Sequence, residues 1–153
     1  MSKPSFAIVG GTTLLGRELR EVFEALPSPL DVRLIGAEEG EAASLTAEAG
    51  EPLVVSPLDE ANLSGATVIF LAGGAKSAQD VWAKFALRKK RPFVVDLSGS
   101  LARLPKAQLR APLVEAPGFE VLPQSVQVIA HPVSVALAIL LRKLSGGPRL
   151  ASA

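Results

Sequence analysis

The sequence predicts a doubly wound, mainly parallel α/β sheet with helices on both faces. Short apolar runs alternate with helix-length segments, as in strands joined by crossover helices. Two of those runs, Ser5–Val9 and Thr67–Leu71, end in glycine-bearing turns, GGTTLLG and AGGAKS. The chain has 153 residues, 48% hydrophobic and 20% charged, which suits one packed domain and not a disordered chain.

The elements run in order. Ser5 to Val9 reads as a buried strand. Leu15, Leu19, Val22, Phe23 and Leu26 recur at helical spacing, and Pro27 stops that helix. Val32 to Ile35 is a second strand. The next stretch, AEEGEAASLTAEAG, has no clear period and reads as a polar loop. Leu53 to Val55 and Thr67 to Leu71 are further strands, Ala78 to Leu87 a helix, and Pro92 to Val95 a strand ending at DLSGS. Leu101 to Ser125 holds many prolines and reads as a long surface loop. Val126 to Ala130 is the last strand, and Pro132 opens a helix running to about Leu144.

Composition removes several function classes. There is no cysteine and one histidine, so no disulfide framework, thiolate nucleophile or multi-histidine metal site is available, and no metal is expected. A net charge of +1 argues against a nucleic-acid surface. The basic run RKKR, Arg88 to Arg91, falls at a predicted helix end, where cations suit the dipole. The apolar stretch near the N-terminus is too short for a signal peptide, and Val135 to Leu141 is too short to span a membrane. A soluble cytoplasmic protein is the expectation.

In parallel sheets of this kind ligands bind beyond the carboxyl ends of the strands, where the strand order reverses. GGTTLLG and AGGAKS would meet there. The first leads from a strand into a helix N-terminus, a ready anion site. Gly10 and Gly16 hold its ends, but Thr13 stands where a relaxed glycine pattern wants its middle glycine. A Cβ there would crowd a pyrophosphate and cost energy if the residue needs positive φ.

The last helix poses a different question. VSVALAILLRKL is apolar on nearly every face, whereas a surface helix shows one apolar stripe. Its outer face requires cover from another subunit or a second domain, or from the Leu101–Ser125 loop folding back.

Taken in order, IVGGTTLLGREL, FLAGGAKS, VVDLSGS, LVEAPG and VIAHPVSVALAILLRKL resemble the N-terminal domain of the aspartate-semialdehyde dehydrogenase family. The resemblance runs from Phe6 to Leu144. It implies a Rossmann-like NAD(P)-binding domain over residues 1–144 and a tail at 145–153, with no counterpart of the family's second, substrate and dimerisation domain. Enzymes of the family reduce an acyl phosphate to an aldehyde with NADPH, in amino-acid biosynthesis. The resemblance places Gly10, Thr12, Thr13, Leu14 and Gly16 on the first cofactor loop, Ala72, Gly73 and Gly74 near the nicotinamide side, and Ser98 beside them. Glu38 and Glu39 stand where the family favours a basic or hydroxyl pair for the 2′-phosphate. A carboxylate repels that phosphate and bonds ribose hydroxyls, so NAD is expected over NADP, if either binds. Two solvated loop glutamates are the simpler alternative.

The family's nucleophile pattern resembles N-P-N-C-[ST]. Laid on IAHPVSVA, its cysteine falls on Ser134 and its first asparagine on His131. A serine hydroxyl needs a dedicated base that a thiolate does not. Ser134 therefore reads as a hydroxyl bonding free amides at a helix start, and His131 as a capping or packing residue. The family's phosphate-binding arginine falls near Ala102, one place from Arg103. Two functions remain open. One is a cofactor domain with no chemistry alone. The other is a scaffold that has lost the nucleotide and docks a second copy or another protein through Val133–Leu144.

Overall fold

The computed structural model describes residues 4–28, 30–40, 43–48, 51–88, 91–115, 118–122 and 125–145. Its elements are β1 (Ser5–Val9), α1 (Leu14–Glu24), β2 (Asp31–Ile35), β3 (Ser44–Glu48), β4 (Glu51–Ser56), α2 (Glu60–Leu63), β5 (Val68–Leu71), α3 (Ala75–Phe85), β6 (Phe93–Asp96), β7 (Ala107–Arg110), β8 (Val126–Ile129) and α4 (Pro132–Ser145). They form one eight-stranded sheet in the order β3-β4-β2-β1-β5-β6-β8-β7. Every pair is parallel except β3 with β4. The doubly wound α/β class is thus observed. The order reverses between β2 and β5, on either side of β1, as the sequence predicts.

The core follows from strand alternation. Ala7 and Val9 point to one face with Ile35, Ile69, Leu71, Val94 and the buried stripe of α3, Ala78, Val81 and Phe85. Ile8 points to the other with Leu34, Val55 and Ala72, covered by Leu19 and Phe23 of α1. Phe23 also packs on Phe6 and Phe70, ring centroids 5.7 and 5.3 Å away. Fully burying an aliphatic chain such as Ile8 or Ile69 stabilises by roughly 1.5–3 kcal/mol.

Three expectations are corrected. The polar segment after β2 is not all loop: Ser44–Glu48 forms β3, antiparallel to β4. Its period is masked because Leu45, 76% exposed, faces solvent on an edge. The proline-rich Leu101–Ser125 segment is not all loop either, because Ala107–Arg110 pairs with β8. Side chains order the described residues beyond β7. Arg110 binds Glu115 through two hydrogen bonds of 2.9 and 2.8 Å and sits 4.4 Å from the centroid of Phe119. Gln108 donates to Glu120 O and accepts from the Leu122 amide, at 3.1 and 3.0 Å. Third, α3 begins at Ala75 and not Ala78, since Gly74 supplies its cap backbone. The short helix α2, capped by Asp59 accepting from the Asn62 amide at 2.7 Å, has no apolar period to announce it in the sequence.

The basic run behaves as a helix end where it is described. Arg88 Nε donates to Lys84 O at 3.1 Å and Arg91 Nη1 to Ala86 O at 3.4 Å. Lys89 and Lys90 lie outside the described residues, as do the N-terminal Met1–Lys3 and the tail beyond Ser145.

α4 departs from what its composition demands. No residue of it is buried, and Val133, Leu137, Leu140, Leu141 and Leu144 are 49–67% exposed. No described part of the sheet or of the 101–125 segment buries it. For the same reason Leu140→Lys and Leu141→Lys should each shift stability by no more than about 0.5 kcal/mol in dilute urea unfolding. Ile69→Ala should cost roughly 2–5 kcal/mol in the same assay.

The Arg110–Glu115 pair makes a second prediction. The hydrogen bond from Arg110 holds the Glu115 carboxyl below its ordinary value, aided by the Ala111 amide and opposed by desolvation. A carboxylate with a depressed folded pKa adds stability above its unfolded pKa and loses it as pH falls through the folded one. Glu115→Gln should therefore lower the melting temperature at neutral pH and flatten its fall in acid, below the ordinary 4.5. Thermal melts against pH read both effects.

Candidate dinucleotide site

The carboxyl ends of β1, β2, β5 and β6 bring four loops together. Gly10 sits at φ +82, a conformation open to glycine. It also touches the next loop: a Cβ there would lie 2.6 Å from Gly73 N. A Cβ at Gly16 would lie 2.2 Å from Gly10 O, so α1 can start this close to β1 only with glycine. The Gly10 and Gly11 amides both donate to Ile35 O, at 2.9 and 3.1 Å, drawing in the end of β2.

Thr13 corrects the expectation of strain. Its φ is −68 and ψ 161, ordinary extended backbone, so no positive φ is required. It is the N-cap of α1. Its Oγ1 accepts from the Gly16 amide at 3.1 Å and offers its one proton to Gly10 O at 2.8 Å or Ala72 O at 2.9 Å. The hydroxyl therefore joins both glycine loops and the helix start. Leu14 and Leu15 amides are the first-turn donors this cap does not take, and Leu14 is 77% exposed. Thr12 is exposed on the same turn. A helix N-terminus, the positive end of the helix dipole, thus stands at the crevice.

On the second loop, Gly74 caps α3 without a side-chain bond. Ser77 Oγ donates to Gly74 O at 2.9 Å and fills the space where a Gly73 Cβ would stand. Asp96, fully buried, arranges the loop after β6. Its Oδ1 accepts from Ser98 N and Oγ at 2.8 and 2.6 Å, and its Oδ2 from Leu101 N at 2.8 Å. Ser98 remains exposed beside Ser100, with hydroxyls 2.8 Å apart. Sequence reasoning does not single out Asp96 and Ser77, although Asp-x-Ser after a strand signals such a turn.

Glu38 and Glu39 are exposed beyond β2. Glu39 pairs with Lys84 of α3. Lys76, in the first turn of α3, has its pKa raised by the hydrogen bond and charge of Asp80, then by Glu39 and Glu38. Both glutamates thus bear on the rim of the second loop.

Ser134 and His131 lie at the carboxyl end of β8, two strands from β5. Val133 N donates to His131 Nδ1 at 3.2 Å, so the histidine caps α4. Ser134 is exposed, and among the described residues its hydroxyl has no hydrogen-bond partner. The capping expected of Ser134 is done by the histidine ring. Arg103 is exposed on the turn after β6. Among the described residues no cluster of acidic or histidine side chains could hold a metal ion, and no helix is long and apolar enough to cross a membrane.

A glycine-lined crevice at the switch point of a parallel sheet, with a helix end aimed into it, defines the dinucleotide-binding class of α/β domain. Residues 5–121 match the family model "Semialdehyde dehydrogenase, NAD binding domain", and the chain belongs to that family. Solved structures share the fold. A probable aspartate-semialdehyde dehydrogenase from Pseudomonas aeruginosa superposes with a TM-score of 0.73 at 23% identity, over 94% of this chain and 43% of its own. The aspartate semialdehyde dehydrogenase II of Vibrio cholerae, complexed with ASA, gives 0.68 at 16% identity, over 95% and 47%. The Candida albicans aspartate semialdehyde dehydrogenase with NADP gives 0.62 at 17%, over 94% and 48%. The chain spans less than half the length of these solved relatives. No curated protein sequence matches it.

The Thr13 geometry predicts a graded series. Thr13→Ser should keep stability, because it keeps the hydroxyl. Thr13→Val should lose about 1 kcal/mol, the worth of a helix cap. Thr13→Gly should not gain stability, since it removes the tether to Ala72. Equilibrium denaturation of the three variants measures the order.

Proposed function

We propose that the chain binds a nicotinamide dinucleotide across GGTTLLG and AGGAKS. The supporting observation is the Thr13 hydroxyl, which ties the two loops to each other and caps α1 through the Gly16 amide, leaving the Leu14 and Leu15 amides uncapped by it. In this reading the pyrophosphate takes those amides, Gly10, Thr12, Thr13 and Gly16 line its loop, and Ala72, Gly73, Gly74 and Ser98 line the nicotinamide side. The Glu38–Glu39 pair lies where the adenosine ribose would sit, so NAD is favoured over NADP by repulsion of the 2′-phosphate. One solved relative carries NADP, and this chain's acidic pair argues for the other cofactor.

These residues carry no semialdehyde chemistry by themselves. Ser134 replaces the cysteine of the family's pattern, and His131 has its Nδ1 engaged by a backbone amide. A serine with no base in reach is a poor nucleophile. The domain would hold the cofactor, and catalysis would need groups from elsewhere. Calorimetric titration tests the reading: NAD should bind, NADP at least about tenfold more weakly, and Glu38→Arg should narrow or reverse that ratio. The same protein should give no phosphate-dependent NAD(P)H formation from aspartate semialdehyde. Absence of binding by both nucleotides would sink the proposal.

A second reading has its own observation, the exposed leucines of α4. Apolar patches of that kind mark interfaces. There the fold is a scaffold, and α4 docks a second copy or another protein whether or not the crevice is filled.

A further inference from the structure

α4 has two apolar faces, and its own chain partly covers only one of them. Val135, Ala138 and Ile139 are half-buried, whereas Val133, Leu137, Leu140, Leu141 and Leu144 are largely exposed. Successive residues turn by about 100° around a helix. The five exposed side chains therefore fall within an arc of roughly 100°, and the three half-buried ones lie on the opposite side. Two opposed faces explain why the segment reads as apolar all round.

Along the exposed arc, Val133, Leu137, Leu140 and Leu144 are spaced by four, three and four residues. That is the seam spacing of a helix packed along another helix. It reads the same in both directions, so the seam is complementary to its own antiparallel copy, as a two-fold contact requires. Partner choice between packed helices is set by charges beside the seam. Here the flanking residues before the last turn are Ser134, Ala136 and Leu141, all uncharged, so nothing beside the seam selects a different chain. The only charges of α4, Arg142 and Lys143, stand in its last turn. A parallel pair would bring four cations together. An antiparallel pair holds the two basic ends roughly 13 Å apart along the axis, beyond the ~10 Å screening length at 0.1 M salt. Burying the five side chains on both copies removes on the order of 1,000 Å² from water, the size of a weak and reversible contact.

We infer that α4 pairs with α4 of a second copy of this chain, antiparallel about a two-fold axis that sets Leu137 against the partner's Leu140 and Val133 against the partner's Leu144. The inference rests on α4 being a docking surface, and it fixes the occupant. Sedimentation equilibrium of the full chain over about 1–100 μM should show the mass rising toward twice that of one chain. Leu140→Glu should weaken association at least about tenfold, because each copy then sets a carboxylate against the partner's Leu137. Circular dichroism checks that this variant folds. The chain has no cysteine, so introduced thiols report the register without background. Under mild oxidation a mixture of Val133→Cys and Leu144→Cys should form a mixed disulfide, and neither variant alone should cross-link. Cross-linking of either variant with itself would mean a parallel pair and overturn the geometry, with α4 still a docking surface. A monomer across the whole range overturns pairing with a second copy. If Leu140→Glu also unfolds that monomer, the leucines are internal core and docking through α4 falls too; if it does not, only the second copy is lost.

Discussion

The structure depends on how closely two backbones approach at its centre. Gly10 and Gly73 stand where a single Cβ would collide, and the Thr13 hydroxyl reaches from one loop to a carbonyl of the other. That contact brings the ends of β1 and β5 side by side, and Gly16 lets α1 begin directly above them. The helix start is held beside the two glycine loops by these contacts. A larger residue at Gly10 or Gly16 would press on backbone, of the second loop and of the first, and one at Gly73 on the Ser77 hydroxyl.

Around that centre each loop is tied to the next by a different device. Ile35 O takes two amides from the first loop, Ser77 braces the second, and Asp96 folds the third about its carboxylate. The crevice is thus preorganised by backbone and short polar side chains. The longer charged residues Lys76, Glu38 and Glu39 lie close to one another beside the second loop and take no part in these ties.

Most of the sheet was legible because buried parallel strands leave continuous apolar runs, as at Ser5–Val9 and Val68–Leu71. Strands on the edges were not. β3 and β7 each have one unpaired side and carry Leu45, Thr46, Gln108 and Arg110 in place of a hydrophobic run, and such sequences read as loop. The glycine loops were legible as a nucleotide pattern. Thr13 was visible as a departure, but its physical role was not: periodicity cannot show that a hydroxyl will meet a carbonyl on a distant strand. The same limit applies to His131, whose ring turns back on its own helix start. α4 was legible as a helix, and its composition signalled unfilled apolar surface, which the single chain leaves exposed.

The Thr13–Ala72 hydrogen bond closes a span of 59 residues, and that has a consequence for biosynthesis. A nascent chain that has emerged only as far as α2 already holds the whole first glycine loop. It has neither the Gly73 wall nor the carbonyl on which Thr13 is anchored. β1 is then a strand with one neighbour, its other edge open until β5 is translated and docks. The dinucleotide cradle is therefore a late product of synthesis. Cofactor already present in the cell would favour the completed β1–β5 pairing, and would do nothing to shelter the half-made sheet before it.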